Sequence, residues 1–324
     1  MMNLGGTVHL NRKGFFILLT LTCIILLYLI KSDSFKQNID TNINLHQLLN
    51  IAIKSAENGG LEVVSTKDKL NVKSKGLTKE GLQDDVTTAD YLSHCSMVST
   101  IKHFFPTIKL ISEENVECDN NQVIDFNGNM NPQVGQLPDE FVNENDVTVW
   151  IDPLDATHEY TEKLYKYVTT MVCVAVKGEP IIGVIHKPFA KETSWSWLGK
   201  GKSENLNTQK TIQDKKRIII SRSHHGNIKE VLQQNFKNKF ELIIAAGAGY
   251  KALEVATGNA DAYLHITAIK KWDICAGNAI LKAVNGVMTT KHNKKIDYTD
   301  ETNVVNEDGL IATLDNHSSY LGIM

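Results

Sequence analysis

The chain has 324 residues, 42% of them hydrophobic, and a formal charge of −3, the composition of an ordinary globular protein with a substantial core. Its lysines are scattered and no basic run is interleaved with aromatics, which speaks against a nucleic-acid partner. Five cysteines without a Cys-x-x-Cys pair speak against a zinc knuckle or a thioredoxin-type motif.

Residues 14–30 form an uncharged run with Phe15, Phe16, Ile17, Leu18, Leu19, Ile24, Ile25 and Leu26. As a helix this run would reach about 25 Å, the short end of what spans a bilayer. Arg12 and Lys13 precede it, which favours a cytoplasmic tail at 1–13. No small-residue cleavage pattern follows, so a retained signal-anchor is expected at 14–30. Residues 31–44 read as a polar stem, and 45–324 as a lumenal domain in which Cys95, Cys118, Cys173 and Cys275 leave three disulfide pairings open. Asn316-His317-Ser318 is a glycosylation acceptor pattern compatible with that side of the membrane.

In the body, apolar spacing predicts a helix from Leu45 to Ser55, ending near Gly59-Gly60, and a second after Asp90 that stops at Pro106. A strand follows at 108–111. Residues 115–146 are rich in Asn, Asp and Gly and read as a polar surface insertion. Further strands are predicted at 147–151, 168–176, 180–185, 217–221, 242–245 and 262–266. Helices are predicted at 250–257 and 274–284, the second closed by Asn285-Gly286. This alternation predicts a layered α/β domain.

The chemistry gathers at strand and helix ends. Asp152-Pro153-Leu154-Asp155-Ala156-Thr157 follows the strand at 147–151, and two carboxylates with the Leu154 carbonyl between them form the all-oxygen set a hard cation prefers. A capped turn accounts for the same residues on spacing alone. Glu113 and Glu114 also follow a strand. Asp84 and Asp85 precede Val86-Thr87-Thr88-Ala89-Asp90, and Asp273 sits in Trp272-Asp273-Ile274-Cys275-Ala276-Gly277, where an N-cap is the simpler reading. Gly247-Ala248-Gly249 leads from a strand into a helix, where free N–H groups favour an anion, with Lys251 as a point charge for a second phosphate.

Taken in order, the Glu-Glu pair, the Asp-Pro-Leu-Asp-Ala-Thr turn and the late Trp-Asp-x-x-Ala-Gly resemble the signature of the inositol monophosphatase superfamily, over residue 45 to the C-terminus. The resemblance is strongest to a Golgi branch acting on adenosine 3′,5′-bisphosphate, carried by residues 149–157, 167–173 and 270–279. It implies an α-β-α-β-α sugar-phosphatase fold behind the single transmembrane helix, in a type II Golgi membrane protein. It further implies that Glu113, Asp152, the Leu154 carbonyl, Asp155 and Asp273 hold two or three Mg²⁺ ions. Asp84, with Asp85 as the adjacent alternative, would work with Thr157 on the attacking water. Asp152, Thr157, Ser221, His224, Gly247, Lys251 and Asp273 would contact the substrate. The expected reaction is hydrolysis of the 3′-phosphate of a small nucleotide bisphosphate, the by-product of lumenal sulfation. An inositol phosphate or other sugar phosphate is the alternative substrate, and a homodimer is compatible with the resemblance. Ser112 departs from the glycine that many members carry before the Glu pair, at a position that supplies no ligand.

Overall fold

The computed structural model describes residues 12–36, 42–69, 71–77, 83–118, 131–207, 214–223, 228–237, 239–299 and 302–323, with the backbone alone at 12, 27–36, 77, 83 and 84. The chain divides into two units, Met1–Asn42 and Ile43–Met324. The first contains helix α1 (Arg12–Lys36), on which Phe15, Phe16, Ile17 and Leu18 are more than half exposed. Among the described residues no helix is long and apolar enough to cross a membrane, so the anchor expected at 14–30 gains no support from the fold.

In the second unit, β1 (Asn42–Asn44) leads into α2 (Leu45–Thr66), followed by the hairpin β2 (Val72–Leu77) and β3 (Gln83–Thr87). Next come α3 (Thr88–Phe104), β4 (Lys109–Ser112), β5 (Phe141–Asn143), β6 (Val147–Asp155) and the short α4 (Thr157–Thr161). Strands β7 (Thr169–Val176), β8 (Glu179–Lys187), β9 (Glu192–Trp197) and β10 (Gly201–Lys202) complete the first half. The second half runs β11 (Lys216–Ser221), α5 (Ile228–Phe236), β12 (Phe240–Ala245), α6 (Ala248–Ala256), β13 (Ala262–His265) and β14 (Ile269–Lys270). It ends with α7 (Lys271–Ala283), β15 (Val287–Thr289), β16 (Val305–Asn306) and β17 (Leu310–Thr313).

Two sheets organise this unit: six strands in the order β10-β9-β8-β7-β6-β4, and five in the order β12-β11-β13-β17-β15. Strand periodicity sends alternate side chains of β6 to opposite faces. Val147, Val149 and Ile151 pack with Leu48, Leu49 and Ile101 of α2 and α3. Trp150 joins Ile274, Cys275 and Ala279 of α7, and the same core reaches Leu310 and Ala312 of the second sheet. Ile218, Ile220 and Leu264 cover the far face of that sheet with Ile228 and Leu232 of α5. The layers therefore run α2/α3, sheet, α6/α7, sheet, α5, the expected α-β-α-β-α order.

Several boundaries depart from the sequence reading. Helix α2 does not stop at Gly59-Gly60, because those glycines mark close packing: a Cβ on Gly59 would lie 2.6 Å from Met97 Sδ and Ser93 Oγ of α3. Helix α3 starts earlier because Thr87 and Asp90 form a capping box. Proline does not end β6 at 151; the ladder to β7 continues across a register shift between Asp152 and Asp155. Strand β9 was not anticipated, since its Thr-Ser-Trp-Ser-Trp pattern is buried on both faces. The polar stretch 115–146 is also more than surface: its Val134 is fully buried in the α2 core, and β5 pairs with β1. Cysteines pair as Cys95–Cys118 and Cys173–Cys275.

Candidate active site

Three elements bring carboxylates into one electrostatic field. β4 delivers Glu113 just beyond its end, where the Glu113 N–H donates to the Ile151 carbonyl at 3.2 Å. β6 delivers Asp152 and Asp155, and the first turn of α7 delivers Asp273. Asp152 is 2% exposed, and its carboxyl is pushed far up by burial and by Glu113, Asp155 and Asp273. Burial, then Glu113 and Asp155, raise Asp273 in the same way. Glu113 is raised to about 7, chiefly by burial, although Lys75 pulls the other way.

Protein donors relieve part of this repulsion. Lys75 on β2 donates to Glu113 at 3.2 Å and also to Glu114. Asp155 accepts from the backbone N–H groups of Ala248 (3.1 Å) and Gly249 (2.8 Å) and from the Thr169 hydroxyl (3.2 Å). The N–H groups expected to meet a phosphate at the start of α6 therefore meet a carboxylate of the protein itself. Gly247 fits this turn because its φ of +69° suits glycine, and a Cβ there would sit 2.6 Å from the Tyr167 carbonyl oxygen. Lys251 is 3% exposed and donates to the Gly247 carbonyl at 2.6 Å. Burial lowers its ammonium to about 8 against the opposing pull of Asp155, Glu159 and Asp273. Its charge lies among the carboxylates of Asp155, Glu159 and Asp273.

The donor set fits a hard divalent cation chemically: four carboxylates on three elements, with Asp152 and Asp273 raised by their acidic neighbours and no soft ligand among them. They do not close into a tight cage. Among the described residues, the one group of three His, Cys, Asp or Glu ligand atoms mutually within 4.8 Å is His94, Cys95 and Cys118, and its two cysteines are disulfide-bonded. The Leu154 carbonyl accepts from Thr157 Oγ1 at 3.0 Å.

Thr157 Oγ1 also donates to Asp90 Oδ1 at 3.1 Å, while Asp90 Oδ2 accepts from the Thr87 N–H and hydroxyl, both at 2.7 Å. Asp90 is thus the acid against Thr157, raised to about 6 by burial despite those hydrogen bonds. Sequence reasoning placed Asp90 only at a helix start; the Thr-x-x-Asp capping pattern was the available signal. Asp85 turns to His158 Nδ1 at 3.3 Å, and its other carboxylate oxygen is buried without a partner. Asp84 pairs with Gly76 across the hairpin, and its side chain lies outside the described residues, as does His224. Ser221 is buried at the end of β11, 3.5 Å from His265 Nδ1. Ser112 bonds His94 Nδ1 at 2.8 Å, which fastens the base of the Glu113 segment to α3.

Comparison with known proteins follows the same lines. The model of the inositol monophosphatase family matches residues 44–319. A putative inositol monophosphatase 3 of Drosophila melanogaster is 44% identical over 333 residues, 98% of this chain and 94% of the relative. The Golgi-resident adenosine 3′,5′-bisphosphate 3′-phosphatase of Mus musculus is 45% identical over 292 residues, 86% of this chain and 81% of the relative. Among solved structures, the IMPase of Thermotoga maritima superposes with a TM-score of 0.65 at 20% identity, covering 86% of this chain and 96% of its own. At that identity the likeness carries the fold alone.

Proposed function

The chain belongs to the inositol monophosphatase family, and from that premise we propose that it is a metal-dependent phosphomonoesterase converting adenosine 3′,5′-bisphosphate to AMP and phosphate. The observation that carries the reading is the placement of Glu113, Asp152, Asp155 and Asp273, acids far apart in sequence, just beyond β4, on β6 and in the first turn of α7, where Glu113 and Asp155 raise both Asp152 and Asp273. The name of the mouse relative supports the substrate. Enzymes of this family depend on a metal, typically Mg²⁺; here Glu113, Asp152, the Leu154 carbonyl, Asp155 and Asp273 would hold two or three such ions. Bound there, Mg²⁺ would neutralise phosphoryl charge and make a water acidic enough to attack.

The rest of the work falls to the chain. Asp90 fixes the Thr157 hydroxyl, and Asp84, on the strand that leads into the Thr87 cap, would share with Thr157 the proton of the attacking water. Ser221, His224 and Gly247 would border the substrate. The name of the same relative supports a Golgi setting, where the substrate would be the by-product of lumenal sulfation. Two disulfides agree with an oxidising lumen, and exposed Asn316 with glycosylation there. A signal-anchor at 14–30 in a type II topology rests on the apolar run alone.

The name of the Drosophila relative favours a second substrate, an inositol phosphate. Phosphate release by the purified chain should be measured with adenosine 3′,5′-bisphosphate, inositol 1-phosphate and inositol 1,4-bisphosphate, each with and without Mg²⁺. The nucleotide should be the best substrate, and chelation should abolish turnover. Asp152→Asn should be inactive with its thermal transition retained; full activity at saturating Mg²⁺ would refute the site.

A further inference from the structure

Glu113 lies where its sheet gives out. The β4–β6 ladder ends with Ser112 opposite Ile151, and the Glu113 N–H, donated to the Ile151 carbonyl at 3.2 Å, carries the pairing one step further. Residues 113–118 belong to no strand. On the other side, Lys75 of the β2–β3 hairpin draws the Glu113 carboxylate at 3.2 Å. A ligand on so short a lead from its strand needs a further anchor if a cation is to meet it already in place.

His94 of α3 supplies that anchor on both sides of the acidic pair. Its Nδ1 bonds Ser112 Oγ at 2.8 Å, and its ring makes a second hydrogen bond to the backbone of Val116. Residues 112 and 116 bracket Glu113, Glu114 and Asn115, so one imidazole closes the segment into a short arch. The ring is 5% exposed, and a buried hydrogen bond of this kind is costly to leave unmade. Ser112 makes the first bond possible, since a glycine there would offer the imidazole no side-chain partner.

The same face of α3 carries Asp90, four residues before His94. Asp90 accepts from Thr157 Oγ1 at 3.1 Å, and after burial it is among the acids that raise Glu113. One helix therefore holds Thr157 through Asp90 and the Glu113 arch through His94, and fixes each against the other.

Resting on the metal-centre reading above, we propose that His94, bonded to Ser112 and Val116, is a positioning residue for Glu113 and sets how tightly the centre holds its divalent cation. Partners outside the ligand shell change metal affinity by about 10- to 100-fold, and a bond made to the ligand's chain neighbours belongs at the lower end, about tenfold.

The test uses Mn²⁺, which suits the same oxygen ligands as Mg²⁺, and follows the electron paramagnetic resonance of the free ion as the purified chain binds it without substrate. Ser112→Ala and His94→Leu should each weaken binding about tenfold, and Ser112→Thr, which keeps the hydroxyl, should stay within about twofold of the wild type. In a Glu113→Gln background, itself weakened, Ser112→Ala should change the affinity less than about twofold, because the residue it positions no longer carries a charge. A general loosening of the fold would weaken binding in that background as well. Thermal unfolding in chelator reports whether each variant is folded, and the Ser112 series decides the matter if His94→Leu is not. Unchanged binding in Ser112→Ala, equal losses in Ser112→Ala and Ser112→Thr, or a full further loss in the Glu113→Gln background would overturn the inference alone. A wild type that binds no Mn²⁺, or whose binding survives Glu113→Gln undiminished, would overturn the metal-centre reading, and this inference with it.

Discussion

Asp90 and Glu113 show how much a single buried carboxyl can bias this protein. Their pKa values are raised to about 6 and about 7, chiefly by burial. A carboxyl raised in the fold binds its proton more tightly there than in the unfolded chain. Acidification through the window between the unfolded and folded values therefore favours the native state, and stability is lost as pH rises through the folded value. Lys251 titrates above this window and stays charged within it. In chelator, the unfolding free energy from urea titration should be higher near pH ~5.5 than near pH ~7, by an amount on the order of a few kcal/mol. Mg²⁺ should recover part of the difference at the higher pH by neutralising the same carboxylates. A midpoint that falls on acidification would contradict the crowded-acid arrangement. None of this coupling was visible in the sequence, where Asp90 read as a helix start and Glu113 as half of an acidic pair. Burial and the reach of Lys75 are tertiary facts.

At the scale of elements, local grammar gave the right element types but misplaced some ends. Gly59-Gly60 carries the same letters as a helix stop, yet tertiary packing needs the missing side chains there. Gly59→Ala would push a methyl into Met97 and Ser93. Gains in helix propensity should be outweighed, giving a net loss of about 1–3 kcal/mol by denaturant unfolding with an unchanged slope. A more stable variant would show that α2 and α3 can part without cost. The segment after β4 offers a second case. Residues 115–118 join no ladder, and the segment is fastened to α3 by Ser112–His94 and Cys95–Cys118. Closing a loop over a sequence separation of 23 restricts the unfolded chain by roughly 3 kcal/mol. Replacing Cys95 and Cys118 by serine should cost up to that much stability and should raise the Mg²⁺ concentration needed for half-maximal activity, because Glu113 lies on the released segment. Unaltered stability and Mg²⁺ dependence would mean that the bond holds nothing in place. The pairing itself was undecidable from spacing, since contact between α3 and the β4 loop is what selects it.

For the whole molecule, alternating strands and helices sufficed to anticipate layers, and ordered motifs anticipated which strand ends would meet. What sequence could not supply was how the ends are aimed: Asp155 is turned by the first N–H groups of α6, and Asp273 is carried on a helix tied to β7 through Cys173–Cys275. The carboxylates thus join the β4–β6 edge of the six-stranded sheet to the helical layer beneath it. A cation held by all of them would bind the native state and not the unfolded chain, so it must stabilise the fold by mass action, by about 2.7 kcal/mol at a hundred times its dissociation constant. Asp273→Asn separates this linkage from stability in general. It removes a buried carboxyl that its neighbours repel, so the variant without metal should be no less stable than the wild type. Its gain in melting temperature on titration with Mg²⁺ should shrink to a small fraction of the wild-type gain, because α7 no longer contributes a charged ligand. Calorimetric unfolding across a Mg²⁺ series reads both quantities at once. An equal Mg²⁺-dependent gain in the two proteins would place the cation away from α7, and the convergence of sheet and helix on one centre would then serve the fold and not the chemistry.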